Sequence, residues 1–265
     1  MTNSSIGCVV LIGAGNLALH LGQALVQQGI RVVEVYNRSA AKGEELAGRV
    51  GADFIPEISK ITTQADLYIM AVADAAIMPI AESLQLGDRL LVHTSGTMDM
   101  MLLSKASVQV GVFYPLQTFP AGRPTGFSGV PVCLESNSAE GKFRLEEVAR
   151  KLTDMVYFVD SDQRKLLHLS AVFACNFTNF MYTVAEDLLT SNSMPFELLK
   201  PLIAHTAENA VRGDVFRHQT GPAVRGDQPV LDIHRSLLAG HPEYLEIYNA
   251  ISNNIIQYKT NHGKL

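Results

Sequence analysis

Apolar positions along this chain follow two regimes. Up to about residue 160 they come in short runs: Cys8–Ile12, Arg31–Tyr36, Ala52–Ile55, Asp66–Ala73, Arg89–His93, Val108–Phe113, Val130–Leu134 and Met155–Val159. Short runs rich in valine and isoleucine, such as the continuous one at Asp66–Ala73, predict strands buried on both faces of a parallel sheet. Amphipathic segments separate several of them. One carries Leu17, Leu21, Ala24 and Leu25 at helical spacing, a second runs from a Ser39 cap to about Arg49, and a third covers Glu140–Leu152. Strands alternating with helices predict an α/β fold with a doubly wound, mostly parallel sheet. After Asp160 the period changes. Asp162 to about Thr190 contains no proline or glycine and has long helical periodicity, and Met194-Pro195 opens another helix with proline at its favoured first position. A Gly/Pro-rich loop, Arg212–Gln228, precedes helical stretches near Val230–Ala239 and Pro242–Lys259. The predicted organisation is a sheet domain over residues 1–160 and an all-α C-terminal domain over 161–265.

Composition narrows the function classes. The 265 residues are 47% hydrophobic and 18% charged, as in a compact globular protein. A net charge of −5 without a basic run argues against nucleic acid as a partner. No apolar run approaches the ~20 residues of a membrane span, so no membrane association is expected. Cys8, Cys133 and Cys175 stand apart inside apolar stretches and read as buried thiols in a reducing compartment, neither disulfides nor a metal site. Ser5-Ile6-Gly7-Cys8 has the letters of a lipoprotein cleavage box without a basic and apolar leader before it, so the expected location is cytoplasmic.

The first strand runs directly into Gly13-x-Gly15-x-x-Ala18, and a helix follows. In that context the pattern predicts a Rossmann dinucleotide site. The first glycine permits the tight turn, and the second brings the Gly15, Asn16 and Leu17 amides up to a pyrophosphate at the helix N-terminus. NAD sites usually place an acid at the end of the second strand, but this chain has Asn37-Arg38-Ser39. A guanidinium beside a hydroxyl suits a 2′-phosphate, which points to NADP. The alternative is a surface turn with Ser39 as a plain cap. Glu34, within the strand, is a poor substitute for the missing acid. The strand tips Ala73-Asp74 and His93-Thr94-Ser95-Gly96 are expected beside the nicotinamide, with Ala73 and Ser95 as contacts; Ser95-Gly96 as a turn and Asp74 as a helix cap are the alternatives.

Chemistry is sought in the helical part. At 100° per residue Lys165, His168, Asn176, Asn179 and Thr183 share one face of the long helix. Reduction of a carbonyl or imine needs a proton donor and a group to orient the acceptor atom. His168 and Asn176 are the candidates, with Lys165 as an alternative donor and Val172 on the same face arguing for a merely structural stripe. Asn176 stands between Phe173, Cys175 and Phe177, an apolar setting that predicts a specific partner for its amide. Tyr114 and Gln117, in Tyr114-Pro-Leu-Gln-Thr-Phe119, are placed to line a cleft between domains. In Gly221-Pro-Ala-Val-Arg-Gly-Asp227, Arg225 either pairs with Asp227 or receives an anionic substrate group.

Gly13-Ala-Gly-Asn-Leu-Ala18, Val92-His-Thr-Ser-Gly-Thr97, Tyr114-Pro-Leu-Gln-Thr-Phe119, Asn176 and Gly221-Pro-Ala-Val-Arg-Gly-Asp227 together resemble the Rossmann-like NADP oxidoreductases that carry a C-terminal helical domain of unknown function. The resemblance spans nearly the whole chain. One departure is Tyr114, where that family usually has histidine before Pro-Leu-Gln. The layout is more distantly similar to pyrroline-5-carboxylate reductase, ketopantoate reductase and the 6-phosphogluconate dehydrogenase superfamily. The Lys/Asn pair of several of those is absent, because the residues four past Lys165 and His168 are Leu169 and Val172. The resemblance implies NADP as cofactor, a small-molecule substrate and pairing of helical domains into a homodimer. The expected activity is hydride transfer between NADPH and a small carbonyl or imine. A non-catalytic NADP-binding sensor and a synthase using the cofactor only transiently are the alternatives.

Overall fold

The computed structural model describes residues 5–122 and 126–262. Its first unit, Met1–Ala174, is built on β1 (Cys8–Ile12), α1 (Asn16–Gln27), β2 (Arg31–Tyr36), α2 (Ala40–Val50), β3 (Asp53–Ile55), β4 (Leu67–Met70) and α3 (Asp74–Glu82). It continues through β5 (Gly87–His93), β6 (Ser107–Pro115), β7 (Val132–Ser136), α4 (Ala139–Leu152), β8 (Val156–Phe158) and α5 (Ser161–Ala171). The sheet order is β3-β2-β1-β4-β5-β6-β7-β8, and every described pairing is parallel except β6 with β7. The first six strands thus take the order of a Rossmann sheet, whose ligands lie outside the carboxyl ends of the strands.

Two-sided burial explains the continuous apolar runs. Val9 and Leu11 join Leu21, Leu25, Leu46, Leu145 and Val148 on one face, while Val10 and Ile12 join Tyr68, Met70, Ile77 and Leu103 on the other. Each such side chain contributes about 1.5–3 kcal/mol when fully buried. Asp66 fastens the start of the sheet by accepting from the Gly7 amide at 2.9 Å and the Cys8 amide at 3.0 Å. The run Asp66–Ala73 yields a strand only to Met70, because Ala73 already serves as the N-cap of α3. Of the cysteines only Cys133 is buried; Cys8 is half-buried and Cys175 exposed, so the expectation of three buried thiols is corrected.

The second unit, Cys175–Leu265, contains α6 (Thr178–Thr190), α7 (Lys200–Val211), α8 (Pro222–Arg225), α9 (Gln228–Leu237) and α10 (Pro242–His262). The helix expected from Asp162 to Thr190 is helical throughout, but Val172–Phe177 form a π-turn between α5 and α6. A π-turn closes i→i+5 bonds, so residues beyond it no longer keep the phase projected at 100° per residue. The period that aligns Lys165 with Thr183 in the sequence therefore does not hold across Val172–Phe177. Pro195 precedes a 3-10 turn, and α7 begins only at Lys200 with Pro201 in its first turn. Among the described residues of this unit the buried hydrophobics are Ala223, Val224, Leu231 and Leu238, while Phe177, Phe180, Leu198, Leu202 and Val211 are exposed. No described helix is long and apolar enough to cross a membrane.

Candidate functional site

The loop after β1 is held by backbone geometry. Gly13 sits at φ +110°, and a Cβ there would collide with the Ala71 carbonyl, so only glycine fits. Its amide donates to Tyr36 O at 2.7 Å, and the Ala14 amide donates to Asn37 Oδ1 at 3.1 Å. Asn37 Nδ2 in turn donates to Ser39 O at 2.9 Å. The Asn37 side chain thus braces the loops after β1 and β2 against each other. Gly15 is the N-cap of α1 and no side chain caps that end, which leaves the first-turn amides of Asn16 and Leu17 presented as an anion seat.

A cavity of about 880 Å³ opens at this loop, lined by Gly15, Leu17, Asn37, Arg38, Lys42 and Thr94 among others. Ala73, the N-cap of α3, and Pro79 and Ile80 of α3 form its apolar wall. Arg38 and Lys42 are exposed, and neither is in an ion pair among the described residues. Ser39 is the N-cap of α2, yet its hydroxyl makes no capping bond. Glu34 is engaged elsewhere: its carboxylate accepts from the Thr62 amide at 2.8 Å. Two cations and a hydroxyl without partners, with no free acid at the end of β2, fit a 2′-phosphate. Lys42 escapes a reading of the sequence, although its place one helical turn after Arg38 is the signal that finds it.

The tips of β4 and β5 are tied together. Ser95 Oγ accepts from the amides of Thr97 and Met98, each at 3.1 Å, and the Ser95 amide donates to His93 Nδ1 at 3.1 Å. Thr97 Oγ1 donates to Asp74 Oδ2 at 2.6 Å. The Ser95 hydroxyl therefore organises a turn. His93 is fully buried, and burial, reinforced by the Arg164 charge, pushes its pKa down to about 4.

Beyond this turn lies His168 of α5. A Cβ on Gly96 would stand 2.6 Å from His168 Nδ1, so the imidazole rests directly on the glycine. The same Nδ1 is 3.0 Å from Tyr114 Oη at the end of β6, with the two rings edge to face. Burial pushes the Tyr114 phenol up to about 12, which keeps it protonated. The helix is positioned by Arg164. Its wholly buried guanidinium pairs with Glu135 of β7 and donates to the Met98 carbonyl, and Ser161 Oγ donates to Glu135 at 3.1 Å. Asp160 closes a capping box with Gln163. One turn before His168, these contacts fix α5 to β7 and to the turn after β5.

The remaining candidates are placed differently. Gln117 is exposed, and its Oε1 accepts from the Thr118 amide at 2.8 Å. Lys165 pairs with Asp162 at 3.1 Å on the surface. Asn176 lies in the π-turn and is exposed, with Phe173 62% and Phe177 49% accessible. Among the described residues, no apolar enclosure surrounds its amide as expected. Arg225 approaches Asp227 of its own loop at 3.8 Å, the internal pair that the sequence left as one alternative.

A solved structure from Bacteroides fragilis, named a putative NADP oxidoreductase, is 37% identical over 97% of this chain and 100% of its own, with a TM-score of 0.89. The chain belongs to this NADP oxidoreductase family. Residues 130–255 match the family described as Domain of unknown function (DUF2520), and residues 3–89 match Shikimate / quinate 5-dehydrogenase. An imine reductase from Myxococcus stipitatus in complex with NADP+ shares the fold at 19% identity, covering 97% of this chain and 96% of its own with a TM-score of 0.65. A glutamyl-tRNA reductase from Idiomarina loihiensis is 39% identical over 67 residues, 24% of this chain. That match spans 16% of the curated relative's length. The motifs that mark the NADP oxidoreductase family in this sequence thus agree with its likeness over the full chain.

Proposed function

We propose that this protein transfers hydride between NADPH and a small carbonyl or imine compound. The observation that carries the reading is the cavity at the strand tips, where, among the described residues, Arg38 and Lys42 are in no ion pair, the Ser39 hydroxyl makes no capping bond and Glu34 is engaged with Thr62. Arg38 and Lys42 hold the 2′-phosphate, and the α1 amides behind Gly13 and Gly15 seat the pyrophosphate. Ala73 and the turn built by Ser95 border the nicotinamide. NADPH supplies the hydride when bound. His168 supplies the proton, and Tyr114 and Gln117 lie toward the substrate.

A sensor that only binds NADP has no task for a half-buried phenol paired with an imidazole, so the enzyme reading accounts for more of the molecule. The thin core of the second unit supports a homodimer through that unit, since exposed Phe180, Leu202 and Val211 find cover there against a second copy. Calorimetric titration with NADPH and NADH tests the proposal. Clear preference for NADPH is expected, and binding of neither overturns the cofactor assignment.

A further inference from the structure

We infer that Tyr114 and His168 form a two-residue proton relay, and that the substrate it serves is a ketone or aldehyde rather than an imine. The inference rests on the hydride-transfer reading and sharpens it. The two side chains come from β6 and α5, 54 positions apart, yet Oη and Nδ1 meet at 3.0 Å. Gly96 is the third element, because any side chain there would occupy the space of the imidazole. Arg164, Glu135 and Ser161 hold the start of α5 in register with that contact.

The chemistry of the two substrate classes separates them. Hydride addition to a carbonyl leaves a strongly basic alkoxide oxygen, so a donor in place during the transition state accelerates the step. An imine is basic enough to take its proton from water before hydride arrives, and a built donor brings it little. The resulting iminium would instead call for a free carboxylate nearby. Among the described residues of the first unit, Glu135 is engaged with Arg164 and Ser161, and Asp74 with Thr97. The other titratable groups bearing on the pair are Cys133, across from Tyr114 on β7, and Arg164, whose charge Glu135 balances.

The carbonyl carbon gains hydride with both electrons from NADPH, and the C=O π pair moves onto oxygen. That oxygen takes the proton of Tyr114 Oη while Tyr114 takes the Nδ1 proton of the His168 imidazolium, which is left as neutral imidazole. NADP+ and the alcohol are the products, and half-buried His168 regains a proton from water. The half-buried phenol gives up its proton with the imidazole standing behind it to replace it.

The test uses the full chain loaded with NADPH, with pyruvate and acetoacetate as carbonyl probes and 1-pyrroline as the imine probe. NADPH oxidation is expected with a carbonyl probe and not with 1-pyrroline. Tyr114→Phe should lower carbonyl kcat about 100-fold or more with the Kd for NADPH unchanged. His168→Gln should likewise lower carbonyl kcat with the Kd for NADPH unchanged. Without cofactor, the ¹⁵N signal of His168 Nδ1 should move in Tyr114→Phe, which reports the contact independently of turnover. Reduction of 1-pyrroline, carbonyl turnover indifferent to Tyr114→Phe, or NADPH binding without turnover of any probe each overturns the relay. Failure to bind NADPH overturns the cofactor reading instead.

Discussion

A single methyl group at position 96 probes the relay with little disturbance elsewhere. In Gly96→Ala the new carbon would stand 2.6 Å from His168 Nδ1 and 2.7 Å from Cγ, whereas ordinary contact begins at 3.4 Å. The imidazole must retreat by about 0.8 Å, a displacement of the size that costs roughly 100-fold in rate when a reacting group is misplaced. Disturbing its 3.0 Å bond to Tyr114 should cost about 1 kcal/mol. Because His168 is only half-buried the ring can swing, so overpacking should cost near the low end of about 1–3 kcal/mol. The assay is carbonyl reduction at saturating NADPH, with a thermal melt and an NADPH titration in parallel. We expect kcat/KM down about 100-fold, Tm down by about 2–4 °C and an unchanged Kd, since Gly96 does not line the cofactor cavity. A folded Gly96→Ala protein that keeps wild-type kcat/KM would refute the reasoning.

Three further outcomes follow from the same contacts. Arg38→Ala and Lys42→Ala should each weaken NADPH about tenfold and leave NADH unaffected, as calorimetry can read. Glu135→Gln strands the buried Arg164 charge and should cost about 3 kcal/mol, lowering Tm on the order of 10 °C; an unchanged melt would show that the ion pair does not hold α5. His93 has its folded pKa lowered to about 4 from 6.5, so between these values the unfolded chain binds a proton that the native state does not. Stability is therefore fully present above pH 6.5 and declines by up to about 3 kcal/mol as pH falls toward 4, and His93→Asn should flatten that slope in acid denaturation.

Much of the sheet is legible in the sequence because two-sided burial writes itself as unbroken apolar runs, as at β1 and β4. The glycine loop is equally legible, since the constraint at Gly13 is local. The site around α5 is not. Arg164 looks like any cation on an amphipathic helix, and only Glu135 and the Met98 carbonyl, distant in sequence, explain its burial. Tyr114 stands out as a departure from the family motif, but nothing local ties it to His168. The π-turn at Val172–Phe177 is invisible to a fixed helical period, so a projection at 100° per residue does not carry from α5 through Asn176.

Glu34 gives the molecule a built-in bias in coenzyme choice. A carboxylate at the end of the second strand is the usual device for accepting a free ribose hydroxyl, and here the nearest one is anchored to the Thr62 amide. Releasing it would loosen the connection between β3 and β4 before it gained a hydroxyl to bind. Conversion to an NADH-using enzyme must therefore import a new acid at position 38 or 39 and remove Lys42, leaving Asn37 to keep its two loops together.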